Sequence, residues 1–149
     1  MKNLALLHKM PYLCAQKSYS TYYMATRLTK RTMSLFESIK HVDDFGNDYW
    51  TSRTMWKVLE YTEYRHFLPV IEKAKIACKN SGQRVEDHFE DILEMVSIGS
   101  GAERPVESIK LSRYACYLIV QNADPSKTIV AQGQTYFPCY SNRRETTSG

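Results

Sequence analysis

Turn-forming residues cut the middle of this chain into short pieces. The clusters are Asp43-Asp44-Phe45-Gly46-Asn47, Ser81-Gly82, Gly99-Ser100-Gly101-Ala102-Glu103-Arg104-Pro105 and Asp124-Pro125. Glycine and asparagine accept the positive φ that tight turns require, and proline stops a helix or strand by lacking an N–H. What lies between these cuts must be short strands and helices that share one core.

The pieces have recognisable periods. Ser38 to Val42 reads as a strand, the Asp43 to Asn47 cluster as a turn, and Asp48 to Thr51 as a second strand, together a β-hairpin. Thr51 or Ser52 can cap the next helix, where Met55, Val58 and Leu59 fall at helical spacing. Thr62 can cap another helix that ends at Asn80, closed by Ser81-Gly82. Pro69 predicts that this helix either starts there or kinks there. Residues 84–96 fit a helical stripe of Val85, Phe89, Ile92, Leu93 and Val96 with acids opposite, so helix is expected there. A hairpin then pairs Met95 to Ile98 with Val106 to Lys110. Ser112 caps a helix through Gln121, and Asp124-Pro125 opens a last helix to about Phe137. Leu59, Ile71, Ala115, Leu118 and Ile119 are the expected core.

The two ends read differently. Residues 1–32 carry six basic residues and no acid, without a sustained period. They read as a tail lacking selected structure, with a targeting peptide as the alternative. Met33-Ser34 opens the patterned region as a start codon would. Residues 138–149 are polar and begin with a helix breaker, which reads as an aberrant or truncated end. The formal charge of +4 therefore misleads, because residues 33–137 hold 12 basic against 15 acidic residues, net −3. No apolar run approaches the ~20 residues that span a bilayer. Cys14, Cys78, Cys116 and Cys139 are scattered and form no C-x-x-C pair, as in a reduced, cytoplasmic protein.

Few residues invite chemistry. His8, His41, His66 and His88 share no metal-ligand spacing, and His88 reads as a solvated residue of an acidic helix. Gly99-Ser100-Gly101 lacks the lysine and glycine spacing of a phosphate loop. Nucleic-acid signals are more specific. Arg53 and Lys57 are four apart on one helix and could straddle phosphates. Lys110 and Arg113 flank a helix start, where backbone N–H groups favour anions. Lys73, Lys75 and Lys79 line a helix. For each of these a solvated charged face is the competing reading.

A resemblance sharpens the picture. It rests on Phe36-Glu37-Ser38-Ile39-Lys40-His41, Tyr49-Trp50-Thr51-Ser52-Arg53 and Lys57-Val58-Leu59-Glu60-Tyr61. Its strongest runs are residues 71–82, Ile98-Gly99-Ser100-Gly101-Ala102 and Leu111-Ser112-Arg113-Tyr114-Ala115-Cys116-Tyr117-Leu118-Ile119. Over about 34–137 the chain resembles the DNA-damage-inducible protein D family, whose N-terminal half is similar to the BRO N-terminal domain of phage and viral proteins. Those proteins are associated with DNA binding and repressor-like roles. Two departures stand out: residues 1–32 have no counterpart, and the family pattern continues helically where this chain meets Pro138.

The expectation is an α+β domain over 33–137, with short β-hairpins packed against several helices, BRO N-terminal-like. The resemblance implies a DNA-damage-response protein without catalytic residues or cofactor. Its partners are expected to be DNA, contacted through Arg53, Lys57, Lys110 and Arg113, or recombination and repair proteins met without DNA contact.

Overall fold

The computed structural model describes residues 35–141. Among them, β1 (His41–Val42) turns into β2 (Asp48–Thr51), which leads into helices α1 (Ser52–Val58) and α2 (Tyr64–Asn80). A 3-10 turn at Val85–Asp87 precedes β3 (Phe89–Ser97) and β4 (Glu103–Ser112), and α3 (Arg113–Asn122) and α4 (Thr128–Ser141) complete the chain described. The strands make one antiparallel sheet in the order β1-β2-β4-β3. The expected α+β class, hairpins on helices, is the class observed. The expected tails at 1–32 and beyond Ser141 lie outside the described residues.

Local chemistry explains most boundaries. The Asp43 carboxylate accepts the backbone N–H groups of Phe45 and Asn47 at 3.0 and 2.8 Å, an Asx turn that closes the first hairpin. β1 is shorter than expected because residues 35–38 take a helical turn, where the Ser38 hydroxyl donates to the Leu35 carbonyl at 2.7 Å. Ser112 caps α3 as expected, accepting from the Ala115 N–H at 3.1 Å. α2 is flanked by Glu63 rather than Thr62, and Gly82, at φ +81°, lies just past its end. α2 does not start at Pro69: it begins five residues earlier and continues through the proline. The bond lost there is to the carbonyl of exposed Arg65, which water can satisfy. α4 starts at Thr128, not at Pro125, because Asp124 is spent on a turn that accepts the Ser126 N–H at 2.9 Å. It also runs through Pro138 to Ser141 instead of breaking there.

The helix expected over 84–96 is a strand. Only Val85–Asp87 coils, and β3 then pairs with β4 along its whole length, from Phe89↔Leu111 to Ser97↔Glu103. Phe89 and Ile92, read as one helical stripe, stand on opposite faces of this ribbon. The turn expected around Gly99-Ser100-Gly101 is present, with all three residues at positive φ. It closes a hairpin longer than the one expected.

β2 meets β4 only over Tyr49↔Ser112 to Thr51↔Lys110, so the outer part of the β3–β4 ribbon projects beyond the four-stranded region. The core gathers where the helices cover the sheet. Trp50, Met55, Leu59, Phe67, Ile71, Leu111, Ile119, Val130 and Phe137 are fully or almost fully buried, and the five expected core residues belong to the same cluster.

Two substitutions probe this packing. Leu118, 9% exposed, should cost about 2–5 kcal/mol as Leu118→Ala, read by denaturant unfolding. Gly133→Ala should lower the melting temperature, although alanine is the better helix former by about 1 kcal/mol. Its Cβ would lie 2.9 Å from Val120 Cγ1 and 3.2 Å from Phe36 Cζ, and both neighbours are fully buried. Overpacking of about 1–3 kcal/mol should outweigh the propensity gain. A higher melting temperature would mean that the α3–α4 contact is looser than this.

Candidate nucleic-acid interface

The four cations singled out in the sequence fall in two places. Lys110, near the end of β4, and Arg113, first residue of α3, share a groove of about 580 Å³. Both are committed to carboxylates. Lys110 Nζ lies 3.7 Å from Asp43 and 3.6 Å from Glu90, and 4.8 Å above the Tyr49 ring. Arg113 Nη2 donates to Asp48 at 2.9 Å, and its guanidinium lies 4.9 Å from the Trp50 ring centre and 5.4 Å from that of Tyr136. Asp43, Asp48, Asp87 and Glu90 line the groove against these two cations, so its balance is acidic.

Arg53 and Lys57 share α1. Arg53 Nε donates to the Glu107 carbonyl of β4 at 2.8 Å, and its guanidinium stacks 3.8 Å from the Tyr64 ring centre. That carbonyl does not neutralise it, so Arg53 keeps its full charge while held in place. Lys57 is exposed, 6.0 Å from the Trp56 ring centre, and makes no ion pair among the described residues. On α2, Lys73 and Lys79 are likewise exposed and unpaired among the described residues, whereas Lys75 meets Glu72 at 3.2 Å.

The surroundings of His88 were not legible in the sequence. Rather than a solvated helical residue, His88 is half-buried after the 3-10 turn, its Nδ1 2.8 Å from Ser112 Oγ and its ring edge-on to Tyr114 at 4.8 Å. The β3–β4 register brings the two residues together across 24 positions, with the Ser112 N–H donating to the His88 carbonyl at 3.0 Å. Only strand pairing could reveal this, and a helical reading of 84–96 concealed it. Ser112 Oγ accepts from Ala115 N–H, which leaves its own proton for a neutral His88.

Burial pushes the His88 imidazole below its ordinary value, against an opposing pull from Asp87. Burial also raises the thiols of Cys78 and Cys116, away from the thiolate form that reacts. Hydrogen bonds from the Asn47 backbone first, and then from its side chain and the Phe45 backbone, hold the partly buried Asp43 carboxyl below the usual range.

A depressed folded-state value means that His88 favours folding when neutral. Its contribution is complete above the unfolded-state value near 6.5 and is lost as pH falls through the lower folded-state value. Denaturant midpoints measured from pH 7.5 to 5 should therefore fall, and His88→Gln should flatten that slope. An unchanged slope would place the acid sensitivity elsewhere.

Comparison with known proteins follows this geometry. The model of the BRO family, N-terminal domain, matches residues 38–138. The chain is also similar to DNA damage-inducible protein D of Escherichia coli (strain K12), with 54% identity over 110 residues. That match covers 74% of this chain and 40% of the relative, so the chain spans less than half of that protein's length. No solved structure matches. Among the described residues, no helix is long and apolar enough to cross a membrane.

Proposed function

The chain belongs to the BRO family, through its N-terminal domain, and on that premise we propose that it is a non-enzymatic DNA-damage-response module that modulates DNA transactions by contacting DNA. The observation that carries this reading is the 54% identity to a protein named for its induction by DNA damage. Burial holds the thiols of Cys78 and Cys116, the cysteines whose side chains are described, away from the reactive thiolate form, which favours a binding role.

The geometry favours one subset of cations for the contact. A cation already paired to carboxylates gains little from a phosphate, since it must break one ion pair to make another. Lys110 and Arg113 are in that position. Arg53 and Lys57 offer charge from one helix face, and Lys73 and Lys79 are also open to solvent. A second reading, a protein-interaction module of the repair machinery without DNA contact, is favoured by the net −3 of residues 33–137.

Titration onto duplex and single-stranded DNA at low and physiological salt separates the two. The chain should bind at low salt, and Arg53→Ala/Lys57→Ala should weaken binding to all sequences alike. It should also lower the log–log salt slope by roughly two units, about one per phosphate contact. Lys110→Ala should change affinity little. No binding at low salt, or binding untouched by the double substitution, would move the assignment to the protein-interaction reading.

A further inference from the structure

We propose that the outer edge of β3 is a docking site for an extended, basic and apolar segment of another protein, which joins the sheet as an added strand. The proposal locates a protein contact on the β3 edge and does not depend on DNA binding.

β3 is nine residues long and is the last strand of the sheet, paired only with β4 among the described residues. An edge of that length presents a row of backbone donors and acceptors, and folds normally blunt it with proline, lysine or a covering element. β4 carries such protection where it projects past β2: Pro105 lacks an N–H, and the Arg53 guanidinium occupies the Glu107 carbonyl. β3 contains neither proline nor lysine; the charges that guard it are acidic, Glu90, Asp91 and Glu94, and these do not repel a basic strand.

Its side chains indicate what fits. Phe89, Asp91, Leu93 and Met95 lie on the sheet face that carries Trp50 and Leu111 into the core. This face continues past the core, so that Leu93 is 73% and Met95 56% exposed. Beside them a groove of about 620 Å³ is lined by Tyr64, Leu68, Leu93 and Glu107 among others. The charges choose among occupants. Asp91 of β3 and Glu103 and Glu107 of β4 share the face of Leu93 and Met95, whereas Glu90 and Glu94 lie on the other, where Glu90 is paired with Lys110 at 3.6 Å and Glu94 accepts from the Thr51 hydroxyl at 3.4 Å. A second copy of β3 would add its own Asp91 to the three carboxylates beside Leu93 and Met95 and no cation of its own, and a phosphate backbone is repelled likewise. A strand that mixes basic and apolar side chains on the face it shares with Leu93 and Met95 would meet Asp91 and Glu107 with the first and cover Leu93 and Met95 with the second.

The test uses the full chain and a fluorescent peptide of about ten residues with threonine at every second position and lysine and valine alternating at the positions between, long enough to cover β3. Binding is read by anisotropy and by hydrogen–deuterium exchange. The peptide should slow exchange within Phe89–Ser97. N-methylation of alternate peptide nitrogens, which deletes several backbone hydrogen bonds, should weaken binding about tenfold or more. Leu93→Ser/Met95→Ser and Asp91→Asn/Glu107→Gln, at exposed positions, should each weaken it as well. Equal binding of the methylated peptide, or protection on another surface, would overturn the proposal. So would protection of β3 in the chain alone, which would assign the edge to a second copy or to the chain's own basic residues 1–32. Protection of β3 by duplex DNA would overturn it too, in favour of a nucleic-acid surface.

Discussion

A fully buried indole must take its N–H donor out of water, and in this fold Trp50 does so at the meeting point of three segments. Its Nε1 donates to the Phe36 carbonyl at 2.9 Å, which fixes the helical turn at 35–38 against the central strand β2. The rings of Phe137 and Tyr136, from the last turns of α4, stand edge-on to it at 5.3 and 6.5 Å. An unpaired buried donor would cost roughly 1–3 kcal/mol, so this bond favours keeping the turn at 35–38 against β2. That requirement lets α4 close over the sheet although it lies almost ninety residues away in sequence.

The same indole accounts for the behaviour of Arg113. Its guanidinium lies over Trp50 and bonds Asp48, and the Asp48 carboxylate is also 4.0 Å from Lys40. Lys40 bonds Glu37, which in turn accepts a hydrogen bond from the Tyr136 hydroxyl. Burial alone would raise the Glu37 carboxyl, but hydrogen bonds from Lys40 and Tyr136 and the charges of Lys40 and Arg113 outweigh it and hold it below the usual range. The Tyr136 hydroxyl is pushed up, by burial first and then by Glu37. Partly buried charges joined in this way hold one another in place, and removing one leaves the others uncompensated. Arg113 therefore acts as a structural cation before it can act as a ligand-binding one.

Parts of this were legible in the sequence because the signals were local. Ser112 caps α3 within three residues, Asp43 closes its own turn within four, and Leu118 and Ile119 follow a helical period that packing respects. What stayed hidden depended on partners distant in the chain. Residues 89–97 carry apolar side chains on both faces of the ribbon, Phe89, Leu93 and Met95 on one and Ile92 and Val96 on the other, so the sequence shows no clean 2.0 period and a helical stripe fits it as well. Pairing with β4 settles the matter, supplying nine residue pairs that no window within 84–96 contains. The site was legible to a similar degree: Arg53 and Lys57 do share a helix, but the ion pairs of Lys110 and Arg113 reach back to Asp43 and Asp48 some 65 residues away.

α1 has seven residues, too few to be stable alone, so tertiary bonds must set its orientation. Buried Ser52, at its first turn, supplies several of them. The Ser52 hydroxyl oxygen accepts the Ile109 N–H of β4 at 2.9 Å and lies 2.8 Å from the Tyr64 hydroxyl of α2. The Tyr64 ring carries the Arg53 guanidinium, and Arg53 returns to β4 at the Glu107 carbonyl. The circuit closes on itself and ties α1, α2 and the base of the projecting ribbon together. Arg53 thus has two roles that compete for one side chain: it presents charge beside Lys57, and it braces the point where β4 leaves the four-stranded region. A ligand that draws the guanidinium outward must give up the bond to β4, whereas one that accepts it where it stands leaves the ribbon braced. Phosphate contact is therefore least costly in the stacked geometry already present, with the Tyr64 ring below the guanidinium and its outer N–H groups facing solvent.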